Sequence, residues 1–552
     1  MKGEMMMKTL LILVIALLAL QLSSAAQTTT APQPDAKNQN TITGIVIGAD
    51  GKPVKNAAVS ATAMGLRNQQ SRATTTNEDG AFRVVNLKAG AYRLRASLPG
   101  FVTATEGLRN VFSGESVTLS LVKGGVITGK VTDANGEPIP GMLVKLIGTQ
   151  TTQSSVSKRT DDRGIYRIFG IPAGNYVVLA DGIAFGWSWM NADYEENIPT
   201  YYPSSTRDTA LPVKIDHGEE LTGIDIRYRS ERGYRVSGKL TGAVTSQNNK
   251  HVSVIYPASG NVVATTYLYG DKQGQPFELR GVPNGEYDLI AESKLGSDAG
   301  AASTPRRVMV AGADVTGLEL KLMPLSSLAG KVVLEELKPT ERPSTCEIKR
   351  NAVIEETVIT ARFDENTPRT QPQTTIPSAQ GEFSLSNLDP GRYRLGFELP
   401  SEDWYVRAMT LPADAATKKP IDAARNGMAL KSGENSKLLT VIIAKGAASL
   451  AGKLTTAMPA RVHLIPVEKE AADDVLRYAE VAAASDGAFT MRHLAPGKYW
   501  VLARSLTDAL RPAALDPAER AKLRSAAEAA HQVIALQTCQ RLINYNLALP
   551  GK

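Results

Sequence analysis

Cysteine and histidine are scarce in this sequence, which has two cysteines and five histidines among 552 residues. So few cysteines exclude a small scaffold that is held together by many disulfides. Cys346 and Cys539 are 193 positions apart and lie in different repeats, so they can form one disulfide or remain separate. The scattered histidines leave few ways to assemble a catalytic zinc site, because such a site needs three converging protein ligands.

Long apolar runs are also missing, except at the N-terminus. There, "MKGEMMMKTLLILVIALLALQLSSAAQ" places lysines before an apolar run that ends in small residues. This pattern predicts a signal peptide at residues 1–26, cleaved after Ala26, with an uncleaved membrane anchor as the alternative. Residues 27–40, "QTTTAPQPDAKNQN", are polar and predict a flexible leader. We expect an exported protein that is periplasmic, on the cell surface or extracellular, with no membrane span after cleavage.

Lysine and arginine form no basic cluster, although the formal net charge is +7. A diffuse positive excess over a chain of this length is weak evidence for an acidic partner. We therefore expect no nucleic-acid partner.

A phrase of fixed spacing recurs along the chain, first as "DGAFRVVNLKAGAYRLRA" from Asp79. In each of five copies an aromatic residue is followed by Gly after eight positions and by Tyr after ten. The Gly and Tyr of the five copies are Gly90 and Tyr92, Gly174 and Tyr176, Gly285 and Tyr287, Gly391 and Tyr393, and Gly497 and Tyr499. Constant spacing indicates one structural unit that is repeated five times.

The repeated unit has the pattern of a β-strand pair. Asp79-Gly80 predicts a tight turn, and the residues after it alternate between apolar and polar, as a half-buried strand does. An opening strand with Gly at its centre, such as "ITGIV" around Gly44, precedes each copy. Strand-rich units of this size predict β-sandwiches, and the Gly-x-Tyr element places a Tyr at a sandwich corner with its hydroxyl bonded to nearby backbone.

These patterns predict an all-β chain of five tandem antiparallel β-sandwich domains in an elongated array, because the linkers are too short for neighbours to separate. Only the fourth copy has a sizeable insertion before its Tyr, and a helix with Asp516 as its cap is expected at 517–532 in the fifth. The predicted domains are β-sandwich 1 at 41–123, β-sandwich 2 at 124–230 with an aromatic insertion at 183–210, β-sandwich 3 at 231–323, β-sandwich 4 at 324–446 and β-sandwich 5 at 447–552.

The second copy resembles a known family. Its opening "GVITGKVTDANGEPIPGMLVKL" from Gly125, followed by "TDDRGIYRIFGIPAGNYVVLA", resembles the carboxypeptidase regulatory-like domain, a transthyretin-like β-sandwich of the carbohydrate-binding-like type. The order of parts, including "TYYPSSTRDTALPVKIDHGEELTGIDIRY", is similar to exported multi-repeat proteins of acidobacteria. The resemblance implies a fold and a location at the cell envelope, and it implies no activity.

Because some metallocarboxypeptidases carry this domain, the resemblance raises the question of a zinc site. His217 and Glu220 have the His-x-x-Glu spacing of a zinc site, but they fall where the other copies have a turn, and no third ligand is in a supporting motif. Asp50, Asp133 and Asp162 lie in turn sequences, which explain them better than calcium does. We expect no cofactor, no metal and no catalytic constellation.

The insertion "GIAFGWSWMNADYEENIPTYYP" in the second copy concentrates aromatic residues in a chain that is 6% aromatic. Exposed aromatic rings stack on sugars or anchor protein partners, although the same rings can pack on the sandwich. The candidate binding residues are Phe185, Trp187, Trp189, Tyr194, Tyr201 and Tyr202.

Two functions follow from these patterns. The first is a non-enzymatic binding or spacer protein of the cell envelope, with a polysaccharide or an envelope protein as partner. The alternative is an accessory subunit of a peptidase, or a hydrolase with a site between domains. The oligomeric state stays open.

Overall fold

The computed structural model describes residues 40–548, with gaps at 66–70, 105–109, 150–155, 182–195, 243–249, 271–273, 294–299, 339–342, 344–345, 347–350, 365–371, 414–418, 456–458 and 506–512. The predicted signal peptide and almost all of the predicted leader lie outside the described residues. Asn40–Lys552 clusters as one compact unit.

The described strands form ten sheets, which are grouped in chain order as five sheet pairs. This confirms the all-β fold class, whereas the domain boundaries remain predictions. In the first sheet pair, one sheet has the order β4-β1-β8-β6 and the other β3-β2-β5-β7. Its strands are β1 (Ile42–Gly48), β2 (Ala58–Ala63), β3 (Ser71–Thr75), β4 (Ala81–Val84), β5 (Ala91–Ser97), β6 (Phe101–Thr103), β7 (Asn110–Phe112) and β8 (Ser116–Lys123).

The second sheet pair has the orders β12-β9-β16 and β11-β10-β13-β14, with β17 paired to β9 and β15 to β13. Its strands are β9 (Gly125–Thr132), β10 (Leu143–Gly148), β11 (Val156–Arg159), β12 (Ile165–Ile171), β13 (Gly174–Asp181), β14 (Thr200–Tyr201), β15 (Val213–Ile215), β16 (Glu220–Leu221) and β17 (Ile226–Arg227).

The third sheet pair has the orders β21-β18-β25 and β20-β19-β22-β23-β26, with β24 paired to β22. Its strands are β18 (Tyr234–Thr241), β19 (Lys250–Ile255), β20 (Val262–Leu268), β21 (Gln275–Val282), β22 (Gly285–Ser293), β23 (Ala301–Ala302), β24 (Arg306–Val310), β25 (Val315–Lys321) and β26 (Met323–Pro324).

The fourth sheet pair has the orders β30-β27-β35-β32-β33 and β29-β28-β31-β34, and it also carries a short helix, Ala423–Asn426. Its strands are β27 (Ser326–Glu335), β28 (Val358–Phe363), β29 (Gln373–Thr375), β30 (Glu382–Leu388), β31 (Gly391–Glu398), β32 (Trp404–Ala413), β33 (Pro420–Asp422), β34 (Met428–Leu430) and β35 (Asn435–Lys445).

The fifth sheet pair has the orders β39-β36-β42 and β38-β37-β40-β41. Its strands are β36 (Ala448–Leu454), β37 (Ala460–Pro466), β38 (Ala479–Ala482), β39 (Ala488–Leu494), β40 (Gly497–Ser505), β41 (Val533–Leu536) and β42 (Arg541–Leu547).

The helix Pro517–Ala530 packs on the fifth sheet pair. The Asp516 carboxylate caps it by accepting hydrogen bonds from the backbone N–H groups of Ala518 and Glu519. Leu523 and Ala527 are fully buried in a cluster with strand residues. Among the described helices, none has both the length and the apolar character needed to cross a bilayer.

One sheet of every pair is mixed rather than purely antiparallel. The opening strand pairs antiparallel with the strand of the recurrent phrase and parallel with the closing strand, as β1 does with β4 and β8. The same parallel pairing joins β9 to β17, β18 to β25, β27 to β35 and β36 to β42. The closing strand can run parallel because the chain first crosses through the opposite sheet, and parallel strands need such a crossover.

The Gly at the centre of each opening strand faces the aromatic residue of the recurrent phrase. The cross-strand pairs are Gly44 and Phe82, Gly129 and Tyr166, Gly238 and Phe277, Gly330 and Phe383, and Gly452 and Phe489. A Cβ atom at any of these glycines would lie 2.0–2.3 Å from a carbonyl oxygen of the closing segment. The glycine is therefore required by close packing on both sides of the opening strand.

The first and fourth sheet pairs touch each other. Buried Ala91 and Phe112 of the first pack with buried Val358 of the fourth, and Met64 and Ile376 extend the cluster. We call this set, with Gly65, Ser113 and Glu356, the first–fourth contact. The short linkers predict contact between consecutive copies, so this contact goes beyond that prediction.

Candidate functional site

The recurrent Gly-x-Tyr element forms a sandwich corner in all five sheet pairs. Each Tyr hydroxyl donates to the backbone carbonyl four residues earlier, at 2.7–3.0 Å. The pairs are Tyr92 with Lys88, Tyr176 with Pro172, Tyr287 with Pro283, Tyr393 with Asp389, and Tyr499 with Ala495. Burial raises the pKa of these hydroxyls above the ordinary value of a Tyr. The recurrent residues therefore serve the fold.

The aromatic insertion is described only in part. Phe185, Trp187, Trp189 and Tyr194 lie outside the described residues, so their role stays a prediction. Tyr201 is 7% exposed in β14, which pairs with β13, and Tyr202 packs against the core of the second sheet pair. Tyr201 thus presents no exposed ring to a ligand, whereas a binding role for half-buried Tyr202 stays a prediction.

The segment after Tyr202 joins the second sheet pair to the third. The Arg207 guanidinium lies 3.5 Å from the centre of the Tyr256 ring, and it also donates to Ser259 Oγ at 3.3 Å. Nearby, the Glu196 carboxylate pairs with Arg232 and Arg235. The hydrogen bond from Arg235 lowers the pKa of Glu196 below its usual value. These polar contacts restrain the joint between two consecutive sheet pairs.

The residues considered as metal ligands lie in turns. His217 is exposed beside Gly218, which has a φ of 71° as a turn requires. The Asp133 carboxylate accepts backbone N–H bonds from Asn135 and Glu137 within its own turn. In the part of the chain that the structure describes, no three His, Cys, Asp or Glu side chains come together to hold a metal ion.

Cys346 and Cys539 form a disulfide. Cys346 belongs to the insertion of the fourth copy, and Cys539 precedes the last strand, β42. The backbone N–H of Cys539 donates to the carbonyl of Gly446, at the end of the fourth sheet pair. The disulfide therefore ties the fourth sheet pair to the fifth.

A cleft of about 1130 Å³ lies on the fourth sheet pair, and we call it the edge cleft. Its floor is the outer side of β30, β27 and β35, and its wall is β29 with the turn that follows. Half of the lining residues have polar side chains, namely Lys331, Gln373, Thr374, Thr375, Ser378, Glu382, Ser384, Ser386 and Thr440. Sequence reasoning missed this site, although the signal was present in the small residues Ser384 and Ser386 of the fourth copy.

Gly65 of the first sheet pair also lines the edge cleft. A Cβ atom on Gly65 would lie 2.5 Å from the backbone nitrogen of Ile376, so the two sheet pairs approach there to backbone contact. Next to this point, Glu356 is 2% exposed, and its carboxylate accepts hydrogen bonds from Ser113 Oγ at 3.1 Å and from the N–H of Val353 at 3.2 Å. The first–fourth contact thus closes one end of the edge cleft.

A double-mutant cycle between Ser113→Ala and Glu356→Ala tests this contact. We expect a coupling free energy of about 1–3 kcal/mol in urea unfolding, because the hydrogen bond is buried and either single change leaves a buried polar group without this partner. The matched control is the exposed pair Lys55 and Glu78, 3.3 Å apart, for which coupling below about 1 kcal/mol is expected. Coupling between Ser113 and Glu356 that is no larger than in this control would mean that the two sheet pairs separate in solution.

Among curated proteins, the inverse autotransporter adhesin YeeJ of Escherichia coli (strain K12) is 30% identical to this chain over 142 residues. The alignment covers 22% of this chain and 6% of that protein, so the chain spans a small part of its relative's length.

Solved structures are matched at low identity. A streptococcal ancillary pilin is 12% identical, with 51% of this chain and 99% of that chain covered and a TM-score of 0.18. Two B repeat units of the Staphylococcus aureus collagen-binding protein are 14% identical, with 73% and 99% covered and a TM-score of 0.13. A putative polysaccharide-binding protein of Bacteroides thetaiotaomicron is 9% identical, with 34% and 79% covered and a TM-score of 0.17. These TM-scores are too low to transfer any property to this chain.

The family model of the carboxypeptidase regulatory-like domain matches residues 41–122 and 126–189. The first range covers the strands of the first sheet pair, and the second range begins in β9 and includes β10 to β13. The match confirms the family resemblance for the first two copies, whereas the similarity to acidobacterial proteins stays a prediction. Residues 41–122 and 126–189 of this chain are therefore similar in sequence to the carboxypeptidase regulatory-like domain.

Proposed function

We propose that the protein is an exported, non-enzymatic binding protein of the cell envelope, in which the repeated sheet pairs hold and space a binding surface. The observation that carries the proposal is the edge cleft, a concavity of about 1130 Å³ in the fourth copy with a mixed polar and apolar lining. The residues that recur in every copy are engaged in internal hydrogen bonds and close packing, so a ligand site is better sought where the copies differ.

Export is supported by two independent features. The N-terminal segment has the charge and apolar pattern of a signal peptide. The bond between Cys346 and Cys539 is of the kind that persists in oxidising compartments outside the cytoplasm. The likeness to an adhesin, over 22% of this chain, also supports a role at the cell surface.

The partner is proposed to be an envelope protein or a polysaccharide. The test uses the mature chain, residues 27–552, in pull-downs from solubilised cell envelope and on an array of bacterial glycans. We expect saturable binding in at least one of the two experiments. Empty results in both would remove the binding function and leave only the role of a spacer between other envelope components.

A further inference from the structure

We propose that β30, at the floor of the edge cleft, pairs with an extended polypeptide segment of a partner protein by strand addition. This inference rests on the proposed function and specifies its site and its class of partner. In strand addition, a peptide extends an existing sheet through backbone hydrogen bonds to an edge strand.

Among the described residues, one edge of β30 has no strand paired with it. β30 is the terminal strand of its sheet, and its single strand partner among the described residues is β27. The N–H of Val332 donates to the carbonyl of Gly381, so this carbonyl and, by alternation, the backbone groups of Phe383 and Leu385 point toward β27. By alternation, the N–H and C=O groups of Ser384 point away from β27, toward the free edge.

Ser378 marks where this free edge begins. Its hydroxyl accepts a hydrogen bond from the N–H of Glu382 at 3.1 Å, and its N–H donates to the carbonyl of Glu382 at 2.7 Å. The outward groups of Glu382 are therefore occupied by the turn. Ser384 is the next outward position, and it lines the edge cleft.

The equivalent strand is terminal in every sheet pair, but its outward side chains differ. The position one residue after the aromatic is Arg83, Arg167, Glu278 or Thr490 in the other copies, and Arg492 lies two positions after Thr490. The fourth copy instead has Ser384 at this position and Ser386 two positions later. Charged side chains on edge strands block the addition of a further strand. The fourth copy lacks this protection at both positions, where small hydroxyl residues allow another backbone to approach.

The lining of the edge cleft favours a polypeptide over a polysaccharide. Sugar rings are commonly held by exposed aromatic faces, since these present a large apolar surface. Among the described residues that line the cleft, Phe383 is the one aromatic residue, and it is 5% exposed because it packs on Gly330 in the core. The volume of about 1130 Å³ exceeds that of most small-molecule sites and suits a chain segment.

The test pans a phage library of random 12-residue peptides against the mature chain, residues 27–552, and resynthesises the enriched peptides. We expect Ser384→Arg, which introduces the residue of the first and second copies, to raise the Kd of these peptides at least about tenfold. Ser384→Pro removes the outward N–H and should have the same effect. N-methylation of alternate peptide amides should also abolish binding, and this arm leaves the protein unchanged.

Thr490→Arg is the matched control, because Thr490 has the equivalent place in the fifth sheet pair. We expect it to leave the Kd unchanged, and the melting temperatures of all variants should equal that of the unmodified chain. Peptides that bind Ser384→Arg normally, or a panning that enriches none, would overturn strand addition. If binding to a glycan rather than a peptide is lost in Ser384→Arg, the edge cleft is a polysaccharide site and the inference is wrong.

These outcomes separate the inference from the proposed function. If envelope pull-downs succeed equally with Ser384→Arg, binding occurs elsewhere on the chain, so the inference fails while the proposed function stands. If the unmodified chain captures no envelope component, no glycan and no peptide, both fail.

Discussion

Replacing both Cys346 and Cys539 by Ser is expected to lower the free energy of unfolding by roughly 2–5 kcal/mol. The disulfide joins residues separated by 193 positions, and a crosslink over so long a loop removes much conformational freedom from the unfolded chain. It also holds the insertion of the fourth copy against the start of β42 in the fifth. The measurement is urea unfolding followed by tryptophan fluorescence, because Trp404 and Trp500 lie in the two linked sheet pairs.

Reduced, unsubstituted protein provides the control for the double Ser variant. Its unfolding midpoint should shift to that of the variant, because neither protein has the crosslink. The two proteins then differ only in having a thiol or a hydroxyl group at residues 346 and 539. An unchanged midpoint in both samples would contradict the conclusion that the disulfide stabilises the last two sheet pairs.

Gly330→Ala is expected to lower the free energy of unfolding by about 1–3 kcal/mol. The added Cβ atom would lie 2.3 Å from the carbonyl oxygen of Leu439 and 2.8 Å from Cζ of Phe383, so β27 and β35 must separate or the ring must move. The same measurement, urea unfolding followed by the fluorescence of buried Trp404, reports on this sheet pair.

Gly396→Ala is the matched control, because Gly396 lies in β31 of the same sheet pair and a Cβ atom there would meet nothing within 4 Å. It should be neutral or slightly stabilising, since Ala has less backbone entropy to lose than Gly. Equal losses for Gly330→Ala and Gly396→Ala would show that close packing is not the reason for glycine in the opening strands.

Local features of the fold were predictable from the sequence because they depend on short spacings. The recurrent distance between Phe82, Gly90 and Tyr92 predicts a strand, a turn and a second strand, and the structure has β4 and β5 there. The Tyr at the corner bonds a carbonyl four residues away, which is also a local relation. The helix start at Pro517 follows from the capping residue Asp516 in the same way.

Relations between distant residues were not predictable, because no local pattern encodes them. The parallel pairing of β1 with β8 depends on how the chain crosses the second sheet. The hydrogen bond between Ser113 and Glu356 joins residues 243 positions apart with no motif at either end. The edge cleft is formed by strand pairing within the fourth sheet pair and by the contact with the first. The sequence therefore did not predict it, and Ser384 and Ser386 were the one local sign of it.

Hydrogen–deuterium exchange on the mature chain, with and without solubilised cell envelope, tests most directly whether the chain binds an envelope partner through the fourth copy. We predict that the backbone amides around Ser384 exchange more slowly when envelope material is present, because a bound strand would occupy their free edge. The equivalent amides around Thr490 should exchange at the same rate in both samples. Unchanged exchange throughout the chain, or protection confined to other sheet pairs, would contradict the account.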